Sequence, residues 1–261
     1  MKRDLITPTR RALIVGGVAV AGGLLLGNRD RLSRAPAFRD FIGIEQDVTK
    51  AVQRSVLAHQ PLVQEFQTSQ MSPIFKVNGG RMPIDPAYLK LLDGQFRDYR
   101  LEVAGLVTQP LSLSVRQLQD MRQRTQITRH DCVEGWSAIG QWTGTPLSEV
   151  LLRAQLKPNA RYIVFYCADD LRTIGDDPGL YYESIDLFDA FHPQTILAHT
   201  MNGRPLEVGH GAPLRLRVER QLGYKQAKFI MRIEAVDRLD NIRGGKGGYW
   251  PDRGYEWYAG I

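Results

Sequence analysis

The chain has 261 residues, 43% of them hydrophobic and 24% charged, which is enough apolar material for a substantial core and no sign of a disordered or fibrous class. The formal net charge of +6 suits an anionic ligand. Lys and Arg are nevertheless dispersed, with no basic block interleaved with aromatics, so a nucleic-acid partner is not expected.

In chain order, Arg10 and Arg11 directly precede an uncharged run of 16 residues, Ala12 to Gly27. That run is short for a spanning helix and reads as a twin-arginine export signal, which places the protein in the periplasm. The one small-x-small cleavage candidate is Ala35-Pro36-Ala37, so residues 1–37 are read as a leader that stays on as a membrane anchor if it is not cut. Residues 38–74 are expected to form an N-terminal helical extension, because "EQDVTKAVQRSVLAH" carries a helical stripe at Val48, Val52, Val56 and Leu57 that Pro61 ends. The main domain is taken as 75–261.

Within that domain, alternation predicts a strand over "YRLEVAGLV", and Leu113-Ser114 leads into a helical "VRQLQDM". The stretch around Cys132 reads as a short extended run followed by a glycine- and tryptophan-rich loop. Thr145 is then placed to N-cap a helix with Pro146 at its first position. Strands are expected at "RYIVFYC", at "LRLRVER" (Leu214, Leu216 and Val218 against Arg215, Arg217 and Glu219), and at "KFIMRIEAV" with Phe229, Met231 and Ile233 on one face. Asn202-Gly203 is a turn dipeptide. The class is α+β, a mixed β-rich core with interspersed helices and no regular strand-helix alternation.

The chemistry centres on "TRHDCVEGWSAIGQWTGTPLSEVLL". There are two cysteines, Cys132 and Cys167, and an oxidising compartment would let them pair. Other readings of Cys132 are an inert thiol, a nucleophile served by His130 two residues away on the same strand face, and a thiolate ligand to a soft metal centre carried by a cofactor. No CxxC or HxxxH spacing supports zinc. Arg215 by itself reads as a solvated residue on an amphipathic strand.

"RHDCVEGWSAIGQWTGTPL", the segment from "YESIDLFDAFHPQTILAHTMNGRPLEVGHGAPLRLRVERQLGYKQAKFIMRIEAV" and the closing "GGYWPDRGYEWYAGI" together resemble the sulfite-oxidase-fold molybdopterin oxidoreductases. The resemblance is greatest to the branch that contains the periplasmic methionine-sulfoxide reductase catalytic subunit. It implies a sulfite-oxidase-type fold and a molybdenum-molybdopterin cofactor with Cys132 as the metal's thiolate ligand and catalytic residue. It further implies cofactor contacts from His210, Arg215 and Gln226-Ala227-Lys228, with Lys225, Phe75, Asn78 and Cys167 nearby. The expected reaction is two-electron oxygen-atom transfer, by a monomer that exchanges electrons with a separate membrane haem protein or cytochrome c. Sulfite oxidases of this fold carry basic residues just after the ligand cysteine, as in Cys-Ala-Gly-Asn-Arg. Here Glu134 and Trp136 follow instead, which favours a neutral S-oxide over the sulfite oxyanion, unless Arg129 or Arg172 enters from elsewhere. The alternatives are a sulfite dehydrogenase and a cofactor-binding protein without turnover.

Overall fold

The computed structural model describes residues 62–171 and 179–261. The expected leader, the helix at 45–59 and Arg172 lie outside them. Residues 62–74 run without regular structure apart from a 3-10 turn at Thr68–Gln70, and are tied to the body by Val63 N–H to Gln194 (2.8 Å) and Phe66 N–H to Ile127 (2.9 Å).

The first helix, α1 (Pro86–Asp93), begins where Asp85 accepts the Tyr88 amide at 2.8 Å and Pro86 occupies the first turn. Then come β1 (Leu101–Gly105), β2 (Leu111–Leu113) and α2 (Val115–Gln119). The α2 start is a reciprocal box: Ser114 Oγ accepts from Gln117 N–H, and the Gln117 side chain accepts from Ser114 N–H. Next are β3 (Arg124–Cys132), β4 (Trp136–Pro146), α3 (Leu147–Ala154), β5 (Tyr162–Asp170), β6 (Leu180–Asp186), α4 (Leu187–Ala190), β7 (Ile196–Met201), β8 (Arg204–Pro205), β9 (Arg215–Arg217) and β10 (Ile230–Val236).

Two sheets result. One has the order β2-β1-β10-β5-β6, antiparallel except where β1 runs parallel to β10. The other has the order β3-β4-β7-β8, with β9 lying beyond β8 along the same edge of β7. Leu147, Val150, Leu151 and Ala154 of α3 enter the main apolar cluster with Leu101, Ile163, Phe165, Leu214, Leu216 and Ile233. A smaller cluster gathers Trp142, Ile196, Ala198, Met201, Leu206 and Ala212 under Phe75. Among the described residues no helix is long and apolar enough to cross a membrane.

Three local expectations change. The glycine- and tryptophan-rich loop is the 11-residue strand β4, in which Gly140 makes room for the Phe75 ring and Gly144 for the β7 backbone at Leu197 and Ala198. Thr145 is not a cap: α3 starts one residue later, with Pro146 at the N-cap, and the Thr145 hydroxyl donates to the Leu118 carbonyl at 2.7 Å. A bulge at Ile230–Arg232 breaks the β10 alternation, so Ile230, Ile233 and Ala235 are buried together while Phe229 joins Tyr88 and Ala168. The Asn202-Gly203 turn holds, with both residues at positive φ between β7 and β8.

Gly203 and Gly144 separate conformational from steric demand. Gly203→Ala meets no atom within 4 Å but retains φ +74°, so it should cost about 1 kcal/mol. Gly144→Ala drives its methyl into the β7 backbone and should cost considerably more. Urea unfolding of both variants, with an unchanged denaturant slope for Gly203→Ala, checks the order.

Candidate functional site

Strand β3 alternates Thr128, His130 and Cys132 onto one face, burying the first two and leaving Cys132 half-buried at the end of the strand. A tight turn follows, closed by Gly135 N–H to the Cys132 carbonyl at 3.0 Å, with Gly135 at φ +82°. It aims the Glu134 and Val133 amides at the sulfur. These amides favour a thiolate, but burial outweighs them and the Glu134 carboxylate adds to it, so the Cys132 thiol stays above its ordinary range. The protein alone leaves this sulfur protonated and unactivated.

Beneath it lies a cationic core. Arg215 and Arg217 of β9 are both 0% exposed, so neither face of this strand is solvated. Leu214, Leu216 and Val218 fill the main cluster on one side. On the other side the two guanidinium groups lie 4.8 and 4.4 Å from the ring centre of Trp142. Arg217 is gripped by both Glu219 oxygens (2.9 and 2.5 Å) and donates to His130 Nδ1 at 3.1 Å. Arg215 donates through Nη1 to the His210 carbonyl at 3.0 Å, while its Nε and Nη2 have no partner. Burial, then Arg217, pull the Arg215 guanidinium down to about 9 against the opposing pull of Glu219. Burial and the cations Arg217, Arg215 and Lys228 likewise push His130 well below the usual imidazole range.

Buried polar atoms without partners gather at this place: Asn78 Oδ1, His130 Nε2, Trp142 Nε1, His210 Nδ1, the two Arg215 nitrogens and Gln226 Oε1. The Phe75 ring packs on His130, Trp142 and His210 at 5.4 to 5.8 Å, Arg215 lies over Trp142 and bonds the His210 carbonyl, Gln226 is beside His130, and Asn78 and Gln226 line the same cleft. Buried polar groups are normally satisfied. A set offering donors, acceptors and an unpaired cation fits a ligand with many heteroatoms and an anionic end. Among the described residues no group of three or more His, Cys, Asp or Glu is placed to hold a metal ion, so a metal at Cys132 would bring most of its ligands with it.

Cys132 opens into a cleft lined by the polar residues Asn78, Glu134, Asp169, Gln226 and Lys228 and by the aromatic residues Tyr181, Tyr224, Trp250 and Tyr255. Glu134 is held by the Trp136 indole N–H at 3.0 Å. Lys228 spends its ammonium on the carbonyls of Gly80 (2.5 Å) and Gly209 (2.9 Å), and Asp169 accepts the Gly80 amide. The loop carrying Phe75 and Asn78 is thereby clamped over the site.

The structure therefore brings Cys132, Phe75, Asn78, His210, Arg215, Gln226 and Lys228 together. Ala227 is buried and contributes its backbone, accepting Leu216 N–H at 2.8 Å. Lys225 sits deeper, committed to Glu183 and packed on Trp257. Cys167 is in the main apolar cluster, where burial and the Asp169 and Glu183 carboxylates hold its thiol well above the usual range. Both cysteines are free, which removes the disulfide reading. His130 does not hydrogen-bond Cys132, so the nucleophile-and-base arrangement is not formed. Arg129 pairs with Asp131 on the exposed face of β3, away from the cleft. Sequence reasoning missed Arg217, Asp169, Tyr181 and Tyr224, and saw His130 only as a base. The two-residue spacing of Arg215, Arg217 and Glu219 was the available signal for the first of these.

With this geometry in view, the family profile for the oxidoreductase molybdopterin binding domain matches residues 89–241. A candidate protein-methionine-sulfoxide reductase subunit, YedZ1 of Azospira oryzae, is 36% identical over 200 residues, 75% of this chain and 70% of that protein. The protein-methionine-sulfoxide reductase catalytic subunit MsrP of Xanthomonas campestris pv. campestris is 37% identical over 150 residues, 54% of this chain and 46% of that one. The chain thus matches about half the length of that relative. Among solved structures, the sulfane dehydrogenase SoxCD from Paracoccus pantotrophus aligns with a TM-score of 0.48 and 24% identity, covering 54% of this chain and 39% of that chain.

Burial, then Arg215, bring the Lys228 ammonium down to about 7, with Arg81 acting the same way and Asp169 and Cys167 opposing. A lysine lowered on folding binds fewer protons in the folded than in the unfolded chain between pH 7 and its ordinary value near 10.4, so folding stability from this group rises with pH across that window. Cofactor-free protein should gain stability between pH 7 and 9. Lys228→Met should lose part of that gain, as read from urea titrations at the two pH values.

Proposed function

Because the chain belongs to the oxidoreductase molybdopterin-binding domain family, and its two-sheet architecture is the sulfite-oxidase-type molybdopterin domain, we propose that it reduces a neutral S-oxide by two-electron oxygen-atom transfer. The observation that carries the proposal is the adjacency of Cys132, at a cleft mouth, to a buried array of unsatisfied polar side chains around the unpaired Arg215. A molybdenum-molybdopterin group supplies the two-electron couple, between molybdenum (IV) and (VI), that such a transfer needs.

The chain's own residues divide the remaining work. Cys132 would provide the thiolate to the metal, and the Glu134 and Val133 amides favour that ionised form. Arg215 offers two guanidinium nitrogens to an anionic oxygen, and Asn78, His210 and Gln226 offer polar atoms to the pterin. Lys228 and Asp169 hold the Gly80 peptide, and with it the loop that would cover the cofactor.

The cleft sets the substrate class. Glu134 places a carboxylate beside Cys132, which repels a sulfite dianion. The four aromatic residues that also line the cleft suit the alkyl and sulfur portion of a methionine-type sulfoxide. Relatives named as sulfoxide reductase subunits support the same substrate, and the word subunit supports a separate electron donor, which we take to be a membrane haem protein. Arg10-Arg11 before the apolar run supports twin-arginine export to the periplasm.

Cys132→Ser should abolish sulfoxide reduction while the protein stays folded, because a hydroxyl is a harder and far less acidic ligand. Cys167→Ser should change substrate constants at most. Activity with methionine sulfoxide against sulfite, normalised to molybdenum content, tests the substrate class, and efficient sulfite oxidation would overturn it. Replacing Arg10 and Arg11 by Lys should leave the protein in the cytoplasm, as read by fractionation, since Lys lacks the guanidinium fork.

A further inference from the structure

We propose that His130 is a cofactor contact that offers a single Nε2–H to the pterin, and that Arg217, locked by Glu219, is the positioning residue that keeps the proton on that nitrogen. This goes beyond the proposed function but rests on its cofactor.

The tautomer follows from donor chemistry. A guanidinium has only donors. Arg217 Nη1 lies 3.1 Å from His130 Nδ1, so Nδ1 is the acceptor and the ring's one proton is on Nε2. Arg217 cannot turn away. Both Glu219 oxygens hold it, and Gln126 Nε2 donates to Glu219 at 2.8 Å while its own carbonyl accepts from Arg124 at 2.7 Å. The chain Arg124, Gln126, Glu219, Arg217, His130 thus ends on one N–H.

That N–H is buried beside the cleft-lining Gly223 and lacks a well-formed partner. The imidazole is 0% exposed and packed against the Phe75 and Trp136 rings at 5.6 and 5.5 Å. Nε2 makes no hydrogen bond of ordinary geometry, and the Gln226 side-chain oxygen, near enough to favour a proton on the ring, is without a well-formed partner as well. Gly223 lines the cleft beside them, and a Cβ there would lie 2.5 Å from Nε2. A donor and an acceptor that lie side by side without a well-formed bond between them, in a gap kept open by glycine, match a ligand edge that carries one acceptor and one donor, as a pterin ring does.

The test uses the loaded protein and its cofactor-free counterpart. Histidine 15N NMR should show Nδ1 as acceptor in both, and the Nε2–H proton should move downfield and become protected from solvent exchange only when the cofactor is bound. An Nε2–H signal identical in the two forms would mean water or Gln226 is the partner, and the proposal fails. Pterin release, followed by fluorescence of the released and oxidised pterin, should be about tenfold faster in His130→Leu, as expected for loss of one hydrogen bond. His130→Gln, which keeps an N–H near the Nε2 position, should restore most of the retention. Release from the Leu variant at the wild-type rate would equally overturn the proposal. Glu219→Gln should loosen the tautomer signature without removing the ring. A folded wild-type protein that carries no pterin at all, expressed in a host that makes it, would instead sink the functional reading.

Discussion

The buried guanidinium of Arg215 is the constraint around which this molecule is arranged. A charge taken out of water costs several kcal/mol unless it is matched by an opposite charge or by hydrogen bonds. Among the described residues, Arg217 has Glu219, Lys225 has Glu183 and Arg220 has Asp189, while Lys228 has the two carbonyls of Gly80 and Gly209. Arg215 has one carbonyl and the face of Trp142. Its compensation is incomplete in the protein alone, and an anionic ligand completes it. Ligand binding of that kind is also stabilisation of the fold, because only the folded chain assembles the site.

Placing a charge there requires a strand that is covered on both sides. β9 is short, but Leu214, Leu216 and Val218 anchor the segment in the main cluster and leave Arg215 and Arg217 no route to solvent. The antiparallel pairing of β9 with β7, and of β7 with β4, then sets Trp142 against both arginines. β4 pairs in register with β3 from Gly144 opposite Arg124 to Trp136 opposite Cys132. One sheet, with a single register shift between Thr143 and Gly144 where β4 meets β7, therefore relates the position of the thiol to the position of the cation. A slip of one residue in β3 would turn His130 and Cys132 to the opposite face.

What the sequence made legible was local. The start of α2 after Ser114, the alternation of β1, the apolar run of β5 and the Asn202-Gly203 turn depend on neighbouring residues, and the structure has them where they were read. What it concealed was non-local. Gly140 and Gly144 look like loop residues until Phe75 and β7 are seen to need their space. The β10 bulge arises from pairing with β5, which no window of β10 contains. Arg215 reads alike on a solvated strand and on a doubly buried one, and only the resemblance to a cofactor-binding family favoured the second reading before the structure. His130 was visible two residues from Cys132, but its partner Arg217 is 87 residues away, and so its role as a fixed donor was not.

Lys225 shows how a residue outside the polar array still shapes the site. Its ammonium is used by Glu183, and that pair lies under the 3-10 turn Gly223–Lys225, whose first residue leaves space beside His130 and whose second, Tyr224, walls the cleft. Glu183 also bridges to Gly248, where the C-terminal segment crosses β6, and Tyr249 N–H bonds the Tyr182 carbonyl next to it at 2.9 Å. Asp252 accepts the Gly244 and Lys246 amides and the Tyr182 hydroxyl, which fixes the turn that presents Trp250 and Tyr255 to the cleft. The aromatic wall is thus not a flexible tail laid over the pocket. It is set by the buried Lys225–Glu183 pair, whose lysine belongs to the turn that spaces His130, and by the Asp252 carboxylate, so substrate wall and cofactor floor would share one support.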